Sequence, residues 1–204
     1  MEVRLLAISH FLYGEGSPEG LIEHAGRVCY RSKSKGDPSS FIRKRIREGH
    51  ESIIEHAVAT FEIKGISRAC SHQLVRHRLA SYSQESQRYV RLDKPDYITP
   101  PSIAANPEAL AKYREFMEKA WSYYRELMEM GIPKQDARFV LPNATATRIV
   151  MSANFREWRH FIKVRLDPRA QWEIRELARR ILSILYRVAP SIFADLAQEA
   201  GIEG

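Results

Sequence analysis

The order of strand-like and helical patterns along the chain limits its fold most strongly. Strand-like apolar patterns occur in "VRLLAIS" (3–9), "HAVATFEIKG" (56–65) and "TRIVMSAN" (147–154). Amphipathic stretches of helical period lie between them, the longest being "EALAKYREFMEKAWSYYRELMEMG", which ends at Gly131. No regular βαβ alternation is present. We therefore expect an α+β fold in which a small central, mainly antiparallel sheet is flanked by more numerous helices.

Residues typical of helix ends mark further elements. Asp37 and Pro38 precede the amphipathic run "SSFIRKRIREGH", which predicts a helix that ends near Gly49. Asn154 stands at the N-cap position in front of "FREWRHFIKVR". The remaining predictions are helices over 21–32, 66–78 and about 169–188, a loop over 98–107, a short element over 133–140, and neither helical nor strand period over 81–88.

The length of the chain, 204 residues with 44% apolar content, is enough for a sizeable core without disulfides. We expect one domain over residues 1–204, because no repeat or composition shift marks a boundary. No run approaches the roughly 18 apolar residues of a membrane span, so no membrane association is expected. The start "MEVRLLAISH" has no long apolar region and only two cysteines are present, which predicts a cytoplasmic protein.

The net charge is +7 and the isoelectric point is near 9.5, with arginine supplying most of the excess. Such a balance predicts anionic partners, and arginine in particular suits bidentate phosphate contacts. Nucleic acid, nucleotides and phosphorylated cofactors all fit the composition. The clustering of the charges along the chain has to decide between them.

A glycine-rich segment, "GEGSPEG", follows the first predicted strand. The spacing of Gly14, Gly16 and Gly20 is one residue longer than G-x-G-x-x-G, and Pro18 lies within it. The surrounding βαβ pattern that a dinucleotide-binding fingerprint requires is also missing. We interpret the segment as a plain turn.

Residues 76–90, "RHRLASYSQESQRYV", concentrate hydrogen-bond donors. Cations at the end of the preceding helix could reflect its dipole, and serines are common in solvated loops. Three arginines, a histidine and two glutamines beside those serines instead favour a ligand-binding segment.

A second basic cluster lies far along the chain and comprises Arg148, Arg156, Arg159, His160 and Arg165. Arg165 follows Phe155 by ten residues on the apolar stripe of the same predicted helix. It therefore either extends to solvent at the helix end or points into a pocket. If the two clusters converge, they would form a pocket for phosphates and for a heterocycle with imide groups.

Metal binding is the alternative explanation for the histidines. His72 and His77 are five residues apart, about 140° around a helix, and so do not share a face. His50 and His56 lack matched cysteine or carboxylate spacing. We expect no metal site.

The donor-rich segment resembles the signature of flavin-dependent thymidylate synthases. That signature reads R-H-R, two residues, Ser, four residues, Ser, one residue, Arg, and every fixed position is filled here, from Arg76 to Arg88. The resemblance extends upstream to "GHESIIEHAVATF" and downstream to "LPNATATRIVMSANFREWRHFIKVR", and so covers most of residues 49–165.

The resemblance implies reductive methylation of dUMP to dTMP without a cysteine nucleophile. Methylenetetrahydrofolate would supply the carbon, FAD the immediate hydride and NADPH the reducing equivalents. It also implies a homotetramer whose active sites are shared between subunits. These expectations come from the family and not from composition or spacing.

Site residues carried over from the family fall into two sets, with Arg76 and Gln84 in both. The FAD contacts would be Ser52, Arg76, His77, Arg78, Gln84, Asn154, Arg156 and His160. The dUMP contacts would be Gln73, Arg76, Gln84, Glu85, Ser86, Gln87, Arg88, Arg148 and Arg165. Arg165 matches the catalytic arginine that favours ionisation of the uracil N3, a role that suits a guanidinium because it does not itself titrate.

Other hypotheses remain at this point. A thymidylate synthase could instead use Cys29 or Cys70 as nucleophile, although Cys70 lies on an apolar helix face, where buried thiols are usually inert. Ser86 has no recognisable base beside it, so we favour a phosphate-donor role for it. The chain could also be a basic nucleic-acid-binding module without enzymatic activity.

Overall fold

One antiparallel sheet contains the strands of this computed structural model, which describes residues 1–13, 16–34, 36–92 and 94–203. The strands are β1 (Glu2–Ile8), β2 (Val58–Ser67), β3 (Ala80–Gln84) and β4 (Ala146–Asn154), in the spatial order β1-β2-β4-β3. The apolar strands β2 and β4 are central, as their sequences predict. The short polar strand β3 lies at an edge.

Helices make up most of the remaining described structure. They are α1 (Pro18–Val28), α2 (Ser39–Arg47), α3 (Arg68–Leu74), α4 (Pro101–Ala104), α5 (Pro107–Glu129), α6 (Lys134–Ala137), α7 (Phe155–Leu166), α8 (Trp172–Val188) and α9 (Pro190–Glu199), with 3-10 turns at Glu51–His56 and Arg138–Val140. The predicted α+β class is confirmed. Among the described residues no helix is long and apolar enough to cross a membrane.

The chain divides into two compact units. The first unit comprises Met1–Glu2, Ile63–Leu74 and Ser83–Ile149, and the second comprises Val3–Glu62, Val75–Tyr82 and Val150–Gly204. Strands β2 and β4 each have residues in both units. That residues 1–204 form a single domain stays a prediction.

Helix α7 is anchored in the second unit by its aromatic face. Trp158 is fully buried, its Nε1 donates to the Ala59 carbonyl at 3.1 Å, and its ring meets those of Phe61 and Phe161 edge-on. Phe155 makes a similar contact with Phe193 of α9. Burying each phenylalanine contributes roughly 1.5–3 kcal/mol. This packing fixes the rotation of α7 and hence the direction of its polar face.

The core of the first unit forms around α5. Asn106 caps this helix, and Gly131, with φ +86°, follows its end, as the sequence predicts. Trp121 and Met117 are fully buried on its inner face, together with Ile149 of β4. The Trp121 ring also lies near the ring of Tyr97, which forms a β-bridge with Thr145 directly before β4.

Several predicted elements differ from the structure. The helix predicted over 66–78 ends at Leu74, and a strand occupies 80–84, where no periodicity was expected. β3 pairs with β4 through its backbone, so a strand of small polar residues is sufficient at this edge. The predicted loop over 98–107 contains the single turn of α4 and the start of α5.

The C-terminal segment contains one helix more than expected. Pro190 does not end the helical region but occupies the first position of α9, where its missing N–H costs nothing. Glu19 of α1 accepts the backbone N–H of Ser191 at 2.7 Å and its hydroxyl at 2.8 Å. This cap comes from a distant helix and has no local sequence signal.

The glycine-rich segment after β1 is a turn in its described part. Phe11 donates its N–H to the Gly16 carbonyl, and Gly16 has φ +77°, which favours glycine. Ser17 then caps α1 by accepting the N–H of Gly20. Gly14 lies outside the described residues.

Candidate active site

Two segments far apart in sequence line one cavity in the second unit. The segment after α3 contributes Arg76, His77 and Arg78, and α7 with its cap contributes Asn154, Arg156, His160 and Arg165. The cavity has a volume of about 850 Å³, within the range of roughly 300–1,000 Å³ found for small-molecule sites. The convergence that the sequence left open therefore occurs for these residues.

Asn154 sets the position of α7 at the edge of this cavity. Its side-chain oxygen accepts the N–H of Glu157 at 2.9 Å, which confirms the predicted N-cap. The N–H of Phe155 donates to the Ala57 carbonyl at 2.9 Å. These bonds hold the first turn of α7 close to the C-terminal end of the Glu51–His56 turn.

His77 forms the centre of a buried polar cluster. The residue is 6% exposed, and its Nε2 lies 2.9 Å from Nε of Arg165. A guanidinium can only donate, so Nε2 must be the unprotonated nitrogen and the proton of neutral His77 lies on Nδ1. Burial, and then the nearby charges of Arg165 and His160, lowers the pKa of His77 from 6.5 to about 4. His77 is therefore neutral at physiological pH.

Glu157 lies on the other side of the His77 ring. One carboxylate oxygen is 3.5 Å from Nδ1, and the Glu157 residue is 5% exposed. Burial raises the pKa of this carboxyl above 4.5, and His160 opposes the shift. Because the pKa of His77 falls to about 4, the imidazole is neutral at physiological pH and the two side chains do not form an ion pair.

Aromatic groups enclose the imidazole. Phe161 and His160 meet the His77 ring edge-on, with centroids 5.0 and 5.8 Å away. Tyr82 donates its hydroxyl to the His77 carbonyl at 2.7 Å. Burial and the charge of Glu157 raise the pKa of Tyr82 to about 12, so this hydroxyl remains a donor.

The charge of the cavity wall is positive overall. Six arginine or lysine side chains and three glutamates line it among the described residues. Arg156 is paired with Glu55, whose hydrogen bond raises the pKa of the guanidinium, and Lys163 lies 3.7 Å from Glu51. Arg159 is buried and forms a bidentate pair with Asp195 at 2.6 and 2.7 Å. Arg159 is therefore a structural cation.

The remaining predicted residues belong to the first unit or lie away from this cavity. Ser52 is exposed and is not part of the cavity lining. Gln73 is half-buried on α3, Arg148 is exposed on β4, and Gln84 ends β3. The run from Glu85 to Arg88 follows β3 directly.

Gln84 is held firmly within the first unit. Its Nε2 donates to Ser71 Oγ at 3.0 Å and to Thr147 Oγ1 at 3.2 Å. The N–H of Glu85 donates to the Arg148 carbonyl at 2.9 Å. These bonds tie the end of β3 to α3 and β4 and so define where the following turn begins.

Residues 86–90 form a tight turn. The Ser86 carbonyl accepts the N–H groups of Tyr89 and Val90 at 3.1 and 2.9 Å, and its hydroxyl accepts the N–H of Arg88. The Arg88 guanidinium lies 5.4 Å from the centroid of the Tyr89 ring. Lys134 of α6 donates to the Tyr89 carbonyl at 2.9 Å. A short segment thus presents hydroxyl and guanidinium donors in a defined geometry.

Sequence reasoning missed a second pair of cations in the first unit. Burial, and then the charge of Arg138, lowers the pKa of the Arg68 guanidinium from its usual range. Arg138 donates Nε to the Gln135 carbonyl at 3.0 Å. Repulsion between like charges makes it costlier to keep both guanidinium groups charged, and a bound anion would reduce that cost. No local pattern connects them, because 70 residues separate them in sequence.

The chain is similar to proteins of one family over most of its length. Residues 12–191 match the family model described as thymidylate synthase complementing protein. A protein of Geobacter sulfurreducens named flavin-dependent thymidylate synthase is 46% identical over 189 residues, which cover 87% of this chain and 82% of that protein. The chain is also similar to two other proteins of the same name. One, from Mycobacteroides abscessus, is 45% identical over 201 residues, which cover 89% of this chain and 80% of that protein. The other, from Pyrococcus furiosus, is 46% identical over 153 residues, which cover 73% of this chain and 63% of that protein.

The chain belongs to the flavin-dependent thymidylate synthase family. Membership confirms both the resemblance seen in the Arg76–Arg88 signature and the prediction of an enzyme. The family model covers both basic segments that line the cavity of the second unit.

The cysteines of this family member lie away from the cavity. Cys70 is fully buried on α3, and Cys29 is exposed after α1. Neither is among the described residues that line the cavity. Within the described part of the chain, no group of three or more His, Cys, Asp or Glu side chains has a geometry suited to a metal ion.

Proposed function

We propose that this protein catalyses the reductive methylation of dUMP to dTMP. Methylenetetrahydrofolate is the carbon donor, and NADPH supplies the reducing equivalents through FAD. The observation that carries the proposal is the cavity of the second unit, in which the signature segment Arg76–Arg78 and the polar face of α7 converge. Family membership supports the same reaction.

The residues of this cavity fit a flavin dinucleotide. A pyrophosphate carries negative charge, and Arg76, Arg78 and Arg156 supply guanidinium donors around a wall with more cations than carboxylates. Neutral His77, packed against Phe161 and His160, forms an uncharged aromatic part of the cavity wall. The flavin, when bound, supplies the hydride chemistry, while the protein supplies placement and electrostatic field. The assignment of Ser52 to this cofactor rests on the family alone.

The first unit is suited to the nucleotide. The turn after Gln84 offers the Ser86 hydroxyl and the Arg88 guanidinium, and Gln84 itself is oriented by Ser71 and Thr147. We assign Gln73, Glu85, Gln87 and Arg148 to the same ligand on the family pattern.

Arg165 is proposed to stabilise the uracil ring as its N3 loses a proton. Removal of that proton leaves negative charge on the ring oxygens, and a guanidinium held in place stabilises the charge without titrating. The bond from Nε to His77 limits the rotation of the guanidinium plane. Preorganised donors of this kind contribute most to rate when they do not have to reorient during the reaction.

Three further features belong to the proposal. The reaction proceeds without a cysteine nucleophile, which is consistent with the burial of Cys70 and with the exposed position of Cys29. The active enzyme is a homotetramer with shared active sites, and it acts in the cytoplasm. A light-scattering mass of one chain would contradict the assembly.

Colour and product formation test the proposed function. Purified protein should be yellow, and NADPH should bleach the flavin absorbance under anaerobic conditions. With dUMP, methylenetetrahydrofolate and NADPH, dTMP should appear on chromatography, and it should be absent when any one of the three is omitted. A colourless protein that cannot be reconstituted with FAD, or one that makes no dTMP, would contradict the proposal.

A further inference from the structure

We infer that Glu157 is a positioning residue for Arg165 and that it acts through the imidazole of His77. The carboxylate holds the His77 proton on Nδ1, and the opposite nitrogen thereby stays an acceptor for the Arg165 guanidinium. Three side chains from the signature segment and α7 thus form one chain of interactions. The inference rests on the proposed role of Arg165.

The geometry leaves His77 only one useful tautomer. Arg165 Nε lies 2.9 Å from Nε2 and must donate. If the proton moved to Nε2, two N–H groups would face each other at this distance, and the contact would be lost. Neutral imidazole in water favours neither nitrogen strongly enough to guarantee the required form, so the other side of the ring has to select it.

Glu157 is the group that makes this selection. Its carboxylate oxygen lies 3.5 Å from Nδ1, and both side chains are 5% exposed, so little water competes for the Nδ1 proton. The contact is longer than a short hydrogen bond, but in a poorly solvated site the attraction between a carboxylate and an N–H dipole remains substantial. Histidines whose tautomer matters are commonly oriented in this way by a carboxylate.

A carboxylate in the first turn of a helix interacts favourably with the helix dipole, but the side-chain contacts of Glu157 within the described residues lie in the His77 cluster. It lies in the first turn of α7, but Asn154 already caps this helix. The charged or titratable groups whose interactions with Glu157 are resolved are His77, His160 and Tyr82, all within the same cluster. A buried carboxylate costs free energy unless its interactions offset the loss of water. An orienting role at the site explains why this position is not apolar.

Nitrogen NMR of the unmodified protein tests the inference directly. In protein labelled with ¹⁵N-histidine, long-range ¹⁵N–¹H correlations distinguish the two tautomers, and the spectrum of His77→Gln identifies the His77 signals. We expect the proton on Nδ1. A proton on Nε2 would overturn the inference whatever the catalytic activity of the protein.

Two substitutions of Glu157 separate orientation from charge. Glu157→Gln keeps an oxygen that can accept from Nδ1, so the tautomer should persist and kcat should fall less than about 3-fold. Glu157→Leu has no acceptor, so the Nδ1 form should lose its dominance and kcat should fall about 10- to 100-fold, while the FAD content stays within about 2-fold. An equal fall in kcat in both variants, or a His77 tautomer that is unchanged in Glu157→Leu, would contradict the inference.

A double-mutant cycle tests whether the effect passes through Arg165. The dUMP dissociation constant, followed by flavin absorbance, should rise with Glu157→Leu in the normal background but change less than about 2-fold in the Arg165→Ala background. Glu176→Leu is the matched control, because Glu176 lies on α8 and pairs with Arg180 at the surface. It should leave the dUMP dissociation constant unchanged in both backgrounds. Additive effects of the two substitutions would overturn the coupling. Absence of dTMP formation by the unmodified protein would instead overturn the proposed function and leave the tautomer measurement valid.

Discussion

Arg165 and His77, 88 residues apart in sequence, meet through a hydrogen bond of 2.9 Å between Nε and Nε2. This contact joins the signature segment to the last turn of α7. The contact orients the Arg165 guanidinium at the cavity. It requires a neutral His77 imidazole whose proton lies on Nδ1.

Removing the Arg165 guanidinium should abolish most turnover without removing the flavin. We expect Arg165→Ala to retain FAD and to lose at least about 100-fold in kcat, the scale of loss seen when one preorganised donor is deleted. Arg169→Ala is the matched control, because Arg169 is exposed and pairs with Asp167, two residues away. Steady-state kinetics and the flavin spectrum measure both effects, and full activity of Arg165→Ala would remove the assigned role.

The buried neutral His77 should make stability depend on pH. Its pKa is about 4 in the folded protein and near 6.5 when unfolded, so between these values the unfolded chain binds more protons. Acidification from pH 6.5 to pH 4 should therefore lower the free energy of unfolding, by up to about 3 kcal/mol, and the effect should level off below pH 4. Urea unfolding at a series of pH values measures this dependence.

His77→Gln should flatten that pH dependence, since glutamine does not titrate. The control His72→Gln replaces an exposed histidine of α3. Between pH 4 and 6.5, the free energy of unfolding should change less steeply with pH in His77→Gln than in His72→Gln, with both measured at the same protein concentration. Identical slopes would show that His77 does not set the acid sensitivity.

The Arg159–Asp195 pair should contribute to stability far more than an exposed pair. Asp195→Asn removes the bidentate carboxylate from the buried Arg159 guanidinium and leaves it only the more distant Glu51 at 3.9 Å among the described carboxylates, and we expect a loss of about 2–4 kcal/mol in the free energy of unfolding. Asp167→Asn breaks the exposed pair with Arg169 and should cost less than about 1 kcal/mol. Chemical denaturation compares the two variants, and similar losses would contradict this difference in role.

Replacing both cysteines should leave dTMP formation intact. In the Cys29→Ala, Cys70→Ala double variant, kcat should stay within about 3-fold, because neither thiol lines the cavity among the described residues. Cys70 is fully buried, so a modest fall in thermal stability is expected from the lost packing. Loss of activity in a variant that remains folded and flavin-bound would favour a cysteine nucleophile.

Local patterns in the sequence were sufficient for the central strands, the capped helices and the family. Apolar alternation predicted β2 and β4, Asn154 predicted the start of α7, and Gly131 predicted the end of α5. The signature from Arg76 to Arg88 predicted the family. Each of these signals is contained within a few residues, because backbone preference and short-range capping bonds act over that distance.

Tertiary structure decided the features that depend on partners distant in sequence. α3 ends at Leu74 and leaves His77 to be buried against Phe161 of α7, although the local pattern would continue the helix. The polar residues 80–84 form a strand because β4 offers its backbone at the sheet edge. The tautomer of His77 depends on Arg165 and Glu157 together, and burial, which gives this arrangement its strength, exists only in the folded chain.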